Sequence, residues 1–407
     1  MTRWPRWLVC LLALALPASA RAQTLPAGPI EFADGHVTVA GDVSAGWGTD
    51  DTGAYFNYTD YDHSALRMLR VDVTAKATAN EHLSFLAELR TENVDSFEAY
   101  ALYVRVKPWT NHDVDIQAGR IPPTFGAFAR RTYPADNPLI GYPLAYQYLT
   151  SLRPDSIPSS ADDLLRRRGL GWLDRFSIGD QTFDHGVPLV TAFSWDTGVQ
   201  VHAGTASGVV SGAVSLTSGT VSRPRVGDDN SGRQWAGRVE LRPVPGLIVG
   251  SSLARGAWVT DGASREAVGA ANTGQFSQTA WGADVEYSRD HYLFRNETIV
   301  SAWALPIVGR PELPPSLRAV STSFEGRYKI VPGVYAAARV EHLGFSDVTG
   351  TSGTLPWDAP VTRVEVGPGI SIQRNLLLKI VYQHNSRDGG PLTQHEHQGA
   401  FQFVYWF

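Results

Sequence analysis

Most of this chain after residue 35 is built from segments of about ten residues in which apolar and polar side chains alternate. Leu69, Val71, Val73 and Ala75 alternate with Arg70, Asp72, Thr74 and Lys76. Leu102, Val104 and Val106, after Tyr100, alternate with Ala101, Tyr103, Arg105 and Lys107. Val320, Thr322, Phe324, Gly326, Tyr328 and Ile330 alternate with Ser321, Ser323, Glu325, Arg327 and Lys329. Thr362, Val364, Val366, Ile370 and Ile372 alternate with Arg363, Glu365, Gly367 and Ser371. Successive side chains of a strand point to opposite faces, so each segment has one apolar and one polar face.

A soluble sandwich would alternate in the same way, with its apolar face buried. The connections separate the two folds. Short turns at 79–81, 108–112, 207, 243–245, 290, 331–333 and 373–375 alternate with long connections near 47–64, 91–96, 121–188, 218–232, 259–275, 305–317, 347–358 and 387–395. Transmembrane barrels alternate short periplasmic turns with long external loops in this way. The strands fall near 36–46, 66–78, 82–90, 97–107, 113–120, 189–206, 208–217, 233–242, 246–258, 276–289, 291–304, 318–330, 333–346, 360–372, 375–386 and 396–407. That is an all-β fold: a transmembrane antiparallel barrel of about sixteen strands, with both ends on the turn side. An even count is what a single-chain barrel needs for that placement.

The last segment places Phe401, Phe403, Tyr405 and the terminal Phe407 on one face. It resembles the C-terminal signature by which the barrel-assembly machinery recognises outer-membrane proteins. On a sixteenth strand these rings face lipid, Gln398, Gln402, Val404 and Trp406 face inward, and Phe407 closes the barrel against the strand near His36 to Gly46.

The N-terminus reads as an export signal. Arg3 and Arg6 precede an apolar run from Leu8 to Leu16, and Ala20-Arg21-Ala22 is a small-x-small cleavage site. Nine apolar residues fall far short of the ~20 that a spanning helix needs. Residues 1–22 are therefore expected to be removed, leaving 23–407 as the barrel. Cys10, the only cysteine, leaves with them, which suits an oxidising periplasm and removes thiolate chemistry. Losing Arg3, Arg6 and Arg21 takes the net charge from -5 to -8, a poor match for nucleic acid. Mean hydropathy is -0.16, and no long apolar run follows the signal.

A charge on the lipid face costs ~2–4 kcal/mol at the midplane, so the charged positions must face inward. The pore-lining candidates are Arg70, Lys76, Arg90, Arg105, Lys107, Asp113, Asp115, Glu325, Arg327, Arg339, Glu341, Arg363 and Glu365, with Asp72, Glu88, Arg238, Glu240, Arg242, Asp284, Glu286, Lys329 and Lys379 on the same faces. Their signs are mixed, which suits polar and zwitterionic solutes and sets no ion preference.

Barrels of this size leave an aqueous lumen unless something fills it. The connection 121–188 is long enough to do so. It is apolar and aromatic, opening Ile121-Pro122-Pro123-Thr124-Phe125-Gly126 and continuing through Tyr142, Tyr146 and Tyr148. Here the chain resembles the sixteen-stranded bacterial porins, in which the long loop after strand five folds inward and constricts the pore. Arg130, Arg131, Asp136 and Arg153 are its constriction candidates. The loop's seven arginines, including 166–168, balance seven aspartates; they either face the constriction or pair within the loop.

The resemblance implies a homotrimer in outer-membrane lipid, a water-filled channel for passive diffusion of small polar solutes or ions, no cofactor and no chemical step. No nucleophile elbow, zinc-protease motif, phosphate loop or dinucleotide fingerprint occurs. His395-Glu396-His397 lacks a third ligand in sequence, so no metal is expected. The rival readings are a barrel enzyme with a hydrolytic site on its wall and a closed structural or adhesion barrel.

Overall fold

The structure is a computed structural model that describes residues 26, 28–51, 55–58, 63–191, 195–225, 227–308, 313–389 and 393–407, with the backbone alone at 129 and 130. The export segment expected at 1–22 lies outside the described residues.

Sixteen strands run in chain order: β1 (Val37–Gly48), β2 (Leu69–Thr78), β3 (Leu83–Glu92), β4 (Glu98–Val106), β5 (Asp113–Ile121), β6 (Asp196–Gly204), β7 (Val210–Thr217), β8 (Gln234–Val244), β9 (Leu247–Ala257), β10 (Ser277–Arg289), β11 (Tyr292–Ala304), β12 (Ser316–Val331), β13 (Val334–Phe345), β14 (Val361–Gln373), β15 (Leu376–Arg387) and β16 (Gln394–Trp406). Each pairs antiparallel with its sequence neighbours. The barrel closes where β1 pairs with β16, from Asp42 opposite Trp406 to Gly48 opposite Ala400. A short stub, Ile30–Phe32, pairs with the start of β1. Closure leaves no sheet edge bearing a full row of unpaired amides and carbonyls.

The alternation read from sequence sorts the two faces. Outward positions carry large apolar side chains in the open, such as Leu102, Val214 and Phe324, each about 60% exposed. Inward positions carry charges and amides. Phe401 and Phe403 are exposed on the outward face of β16, while Gln398, Gln402 and Val404 are buried.

Two local departures have physical causes. The sixth strand begins at Asp196, not near 189. Leu189 and Val190 are consecutive apolar residues, which a strand would place on opposite faces; both instead sit in the loop's core. The Asp196 carboxylate accepts the amides of Thr197, Gly219 and Arg225 and fixes where pairing starts. In β4 the register against β3 shifts between Glu88 and Leu89, opposite Ala101 and Ala99. Tyr100 is the extra residue of this bulge. It is buried beside the inward Arg90, whose Cζ lies 3.3 Å from its ring centroid, instead of joining Leu102 on the outward face.

Candidate functional site

The inward wall has two halves. Towards the short turns, Lys76, Lys107, Asp113, Arg242 and Lys329 are inward yet exposed to solvent. Around them the charges pair along and across strands: Arg105 with Asp115 at 2.7 Å, and Arg242 with Glu240 at 2.8 Å. Arg295 joins Glu286 at 2.7 Å and Glu325 at 3.0 Å. Arg327 lies 5.7 Å from the Tyr335 ring centroid.

Towards the long connections the inward charges are covered. Arg70, Arg90, Arg339, Glu341, Arg363 and Glu365 are all buried, as is Lys379, which follows a short turn as the fourth residue of β15, and what covers many of them is the connection between β5 and β6. The Lys379 ammonium donates to the carbonyl oxygens of Pro134, Asn137 and Leu139 at 2.5, 2.8 and 3.0 Å. Glu365 accepts the amides of Ile140 and Gly141, and Arg339 donates to the Gly141 carbonyl at 2.6 Å and to Glu365 at 2.7 Å. Arg363 donates to the Tyr142 carbonyl, and Glu341 accepts the Leu144 amide. The Arg70 guanidinium donates to the Tyr142 hydroxyl at 2.6 Å. Tyr146 donates to Glu297 and Tyr133 to Glu88, each at 2.7 Å. Charge-assisted bonds of this kind are about twice as strong as neutral ones.

The aromatic content of the connection explains the rest of its seating. Phe125, Phe128, Tyr142, Leu144, Tyr146 and Leu152 form one core with residues of β8 to β12. Those strands present small inward side chains where the loop lies, among them Ala236, Ala254, Ala280 and Ala319. At Gly282 the Phe125 ring comes within 3.2 Å of where a Cβ would stand. Gly126 has φ +81, a left-handed turn that a side chain would oppose.

The loop's charges divide. Arg131 reaches the wall and meets Glu286 at 3.1 Å. Arg153 is buried within the loop, held by Asp155 and by the carbonyls of Asp174 and Thr182. Arg166 pairs with Asp163 and Arg167 lies 3.2 Å from Asp174, so two of the basic triplet are turned to the loop's own aspartates. Asp136 is exposed. The Arg130 side chain lies outside the described residues.

Burial and the neighbouring Glu88 push the Tyr133 hydroxyl well above its ordinary range. Burial also lifts two loop carboxyls, Asp174 to about 7 and Asp358 to about 6. Asp358 accepts the amides of Ser151, Gly169 and Ala359, tying the long loop to the connection after β13.

Several working residues were not singled out from sequence. Arg295 and Glu297 obey the same alternation as their neighbours and could have been read from it. Tyr100 could not, because its inward turn depends on the bulge. His395 and His397 share the outward face with His384, whose ring lies 4.5 Å from that of His397. Among the described residues, no group of three or more His, Cys, Asp or Glu side chains is arranged to hold a metal ion.

No protein-family model matches the chain, and no curated protein matches it by sequence. Solved structures do match in fold. Salmonella typhi OmpF in complex with daunomycin superposes with a TM-score of 0.55 at 10% identity, covering 93% of this chain and all of that one. The anion-selective porin of Comamonas acidovorans gives 0.54 at 11% identity, covering 91% and 99%. OmpT, an outer membrane protein of Vibrio cholerae, gives 0.52 at 12% identity, covering 93% and 100%. The chain therefore has the fold of the bacterial porins.

Proposed function

We propose that the protein is an outer-membrane porin, a water-filled channel through which small hydrophilic solutes and ions diffuse passively. The observation that carries this reading is the contrast along the inward wall. On the short-turn side, the inward Lys76, Lys107, Asp113, Arg242 and Lys329 stand in solvent, as they would in an aqueous vestibule. On the long-loop side, the wall is covered by the loop from Pro134 to Gln147, which narrows the lumen. Selection then follows from the width that remains and from the mixed charges of the wall, with no chemical step.

The outward apolar band takes outer-membrane lipid. Residues 1–22 act as the export signal, and Phe401, Phe403, Tyr405 and Phe407 serve recognition by the assembly machinery. A homotrimer accompanies the reading, and chemical cross-linking in native membranes tests it. The channel itself is tested by single-channel recording in planar bilayers, with stepwise currents in KCl as the expected result. A barrel that runs as folded in heat-modifiability gels yet passes no current would overturn the reading in favour of a closed structural barrel.

A further inference from the structure

Between the wall and the loops lies a cavity of about 370 Å³, bounded by the external ends of β3 and β4, residues 149–191 of the long loop, and the turn Ser222–Arg225 after β7. Its size is at the lower end of small-molecule sites. Its charges are unevenly committed. Arg223 and Arg225 both turn to a single carboxylate, that of Asp229, with Arg223 at 3.5 Å. Arg90 is already held by Asp72 and Glu88. Asp155 is engaged by Arg153, while Asp184 lies 2.9 Å from His185, which carries a charge only when protonated. Glu98 stands opposite Arg90 in the ladder, is exposed, lies in the field of Arg120, and makes no ion pair among the described residues. The cavity thus offers a guanidinium pair on its loop side and, on its wall side, an exposed carboxylate that is in no ion pair among the described residues.

The remaining lining narrows the ligand class. Leu149, Pro154, Val187, Pro188 and Pro224 supply aliphatic surface, three of them as rigid rings. Among the described lining residues none is Phe, Tyr or Trp, so they offer no flat platform on which a sugar ring would stack. Asp155 and Asp184 lie in the field of Arg223 and restrain its pull on a simple anion.

We propose that this cavity is a binding site for zwitterionic solutes bearing an aliphatic side chain, free amino acids or short peptides, with the carboxylate on Arg223 and Arg225 and the ammonium on Glu98. The inference rests on the channel reading and names its solute class. A solute of both charges satisfies both ends of the site, whereas a single charge leaves the opposite end desolvated and unmatched.

The test uses the refolded full barrel with three probes of one shape: leucine, N-acetyl-leucine as the anion and leucinamide as the cation. Binding is measured by calorimetry in detergent, and block of the KCl current is recorded in bilayers. Leucine should bind in a saturable manner, about tenfold tighter than either single-charge probe. Glu98→Gln should weaken leucine and leucinamide but not N-acetyl-leucine. Arg225→Gln should weaken leucine and N-acetyl-leucine but not leucinamide. Glu98→Gln alone suffices if Arg225→Gln does not fold, because Glu98 lies on the wall. Equal affinities for the three probes, or variants that weaken all three alike, would overturn the site. KCl current without leucine binding overturns the site and leaves the channel. Leucine binding without current overturns the channel and leaves the site.

Discussion

Gly41 and Phe407 exchange both backbone hydrogen bonds, Gly41 N to Phe407 O at 3.1 Å and Phe407 N to Gly41 O at 2.9 Å. The Phe407 ring lies over the glycine, within 2.5 Å of where a Cβ would stand. The terminal ring thus occupies the space that a side chain on β1 would need, at the pair of strands whose contact closes the barrel. Gly41→Val should push the ring off and reduce the yield of folded barrel in heat-modifiability assays, as should deletion of Phe407. Gly399→Ala, where nothing lies within 4 Å, is the matched control and should fold normally. Equal yields for Gly41→Val and Gly399→Ala would remove this contact from the closure step.

Lys379 ties the loop at three points, since one ammonium satisfies three carbonyls with all three of its protons. Lys379→Met keeps the stem and deletes the donors, leaving three buried carbonyls without that partner. The expected cost is about 3 kcal/mol, read as a lower melting temperature in detergent. The freed segment 134–139 should also raise the single-channel conductance. A lower melting temperature with unchanged conductance would mean that this segment does not set the width of the channel.

The two raised loop carboxyls give stability a definite slope with pH. Asp174 and Asp358 hold their protons more tightly folded than unfolded, because burial penalises their charged forms. Between pH ~4 and their folded values the native chain binds more protons, so this contribution falls as pH rises through that window and is gone above about 7. Asp163 works the other way. Burial opposes ionisation there too, but donors from Ser159 and Ser177 and the charge of Arg166 hold it below the ordinary range, so its contribution is lost in acid. Comparing wild type with Asp174→Asn isolates the first effect: melting from pH 4.5 to 8 should decline less steeply in the variant. Parallel curves would exclude Asp174 as the titrating group.

Much of this architecture was legible because one physical rule, alternation across a wall with lipid outside, acts on every strand separately. The rule placed Arg105 and Asp115 on one face without any knowledge of their pairing. It did not anticipate Tyr100, because a bulge breaks the period that the rule depends on. Nor could it say which inward charges would be covered. Lys76 and Lys379 look equivalent on their strands, yet one stands in solvent and the other is buried under three loop carbonyls. That difference comes from the path of the long loop, a tertiary property. The nearest trace of it in sequence is the run of small inward residues, Ala236, Ala254, Ala280 and Ala319, which make room for aromatic rings that arrive from more than fifty residues away in the chain.

Among the loop arginines whose side chains are described, Arg131 is the one placed to tune ion preference. It meets Glu286, which also accepts from Arg295, so the loop adds a positive charge to a wall cluster that also includes Glu325. Arg131→Ala removes that charge and leaves Glu286 with Arg295 alone. The wall at this level becomes more negative, and the reversal potential in a KCl gradient should move towards cation preference. Arg166 supplies the control, since it is largely exposed and paired with Asp163 inside the loop. Arg166→Ala changes the net charge by the same amount at a site away from the wall cluster, and charges more than a Debye length from the ion path are screened. A shift for Arg131→Ala with none for Arg166→Ala would locate the selective field at the Glu286 cluster. Equal shifts would mean that net charge, not position, sets the preference.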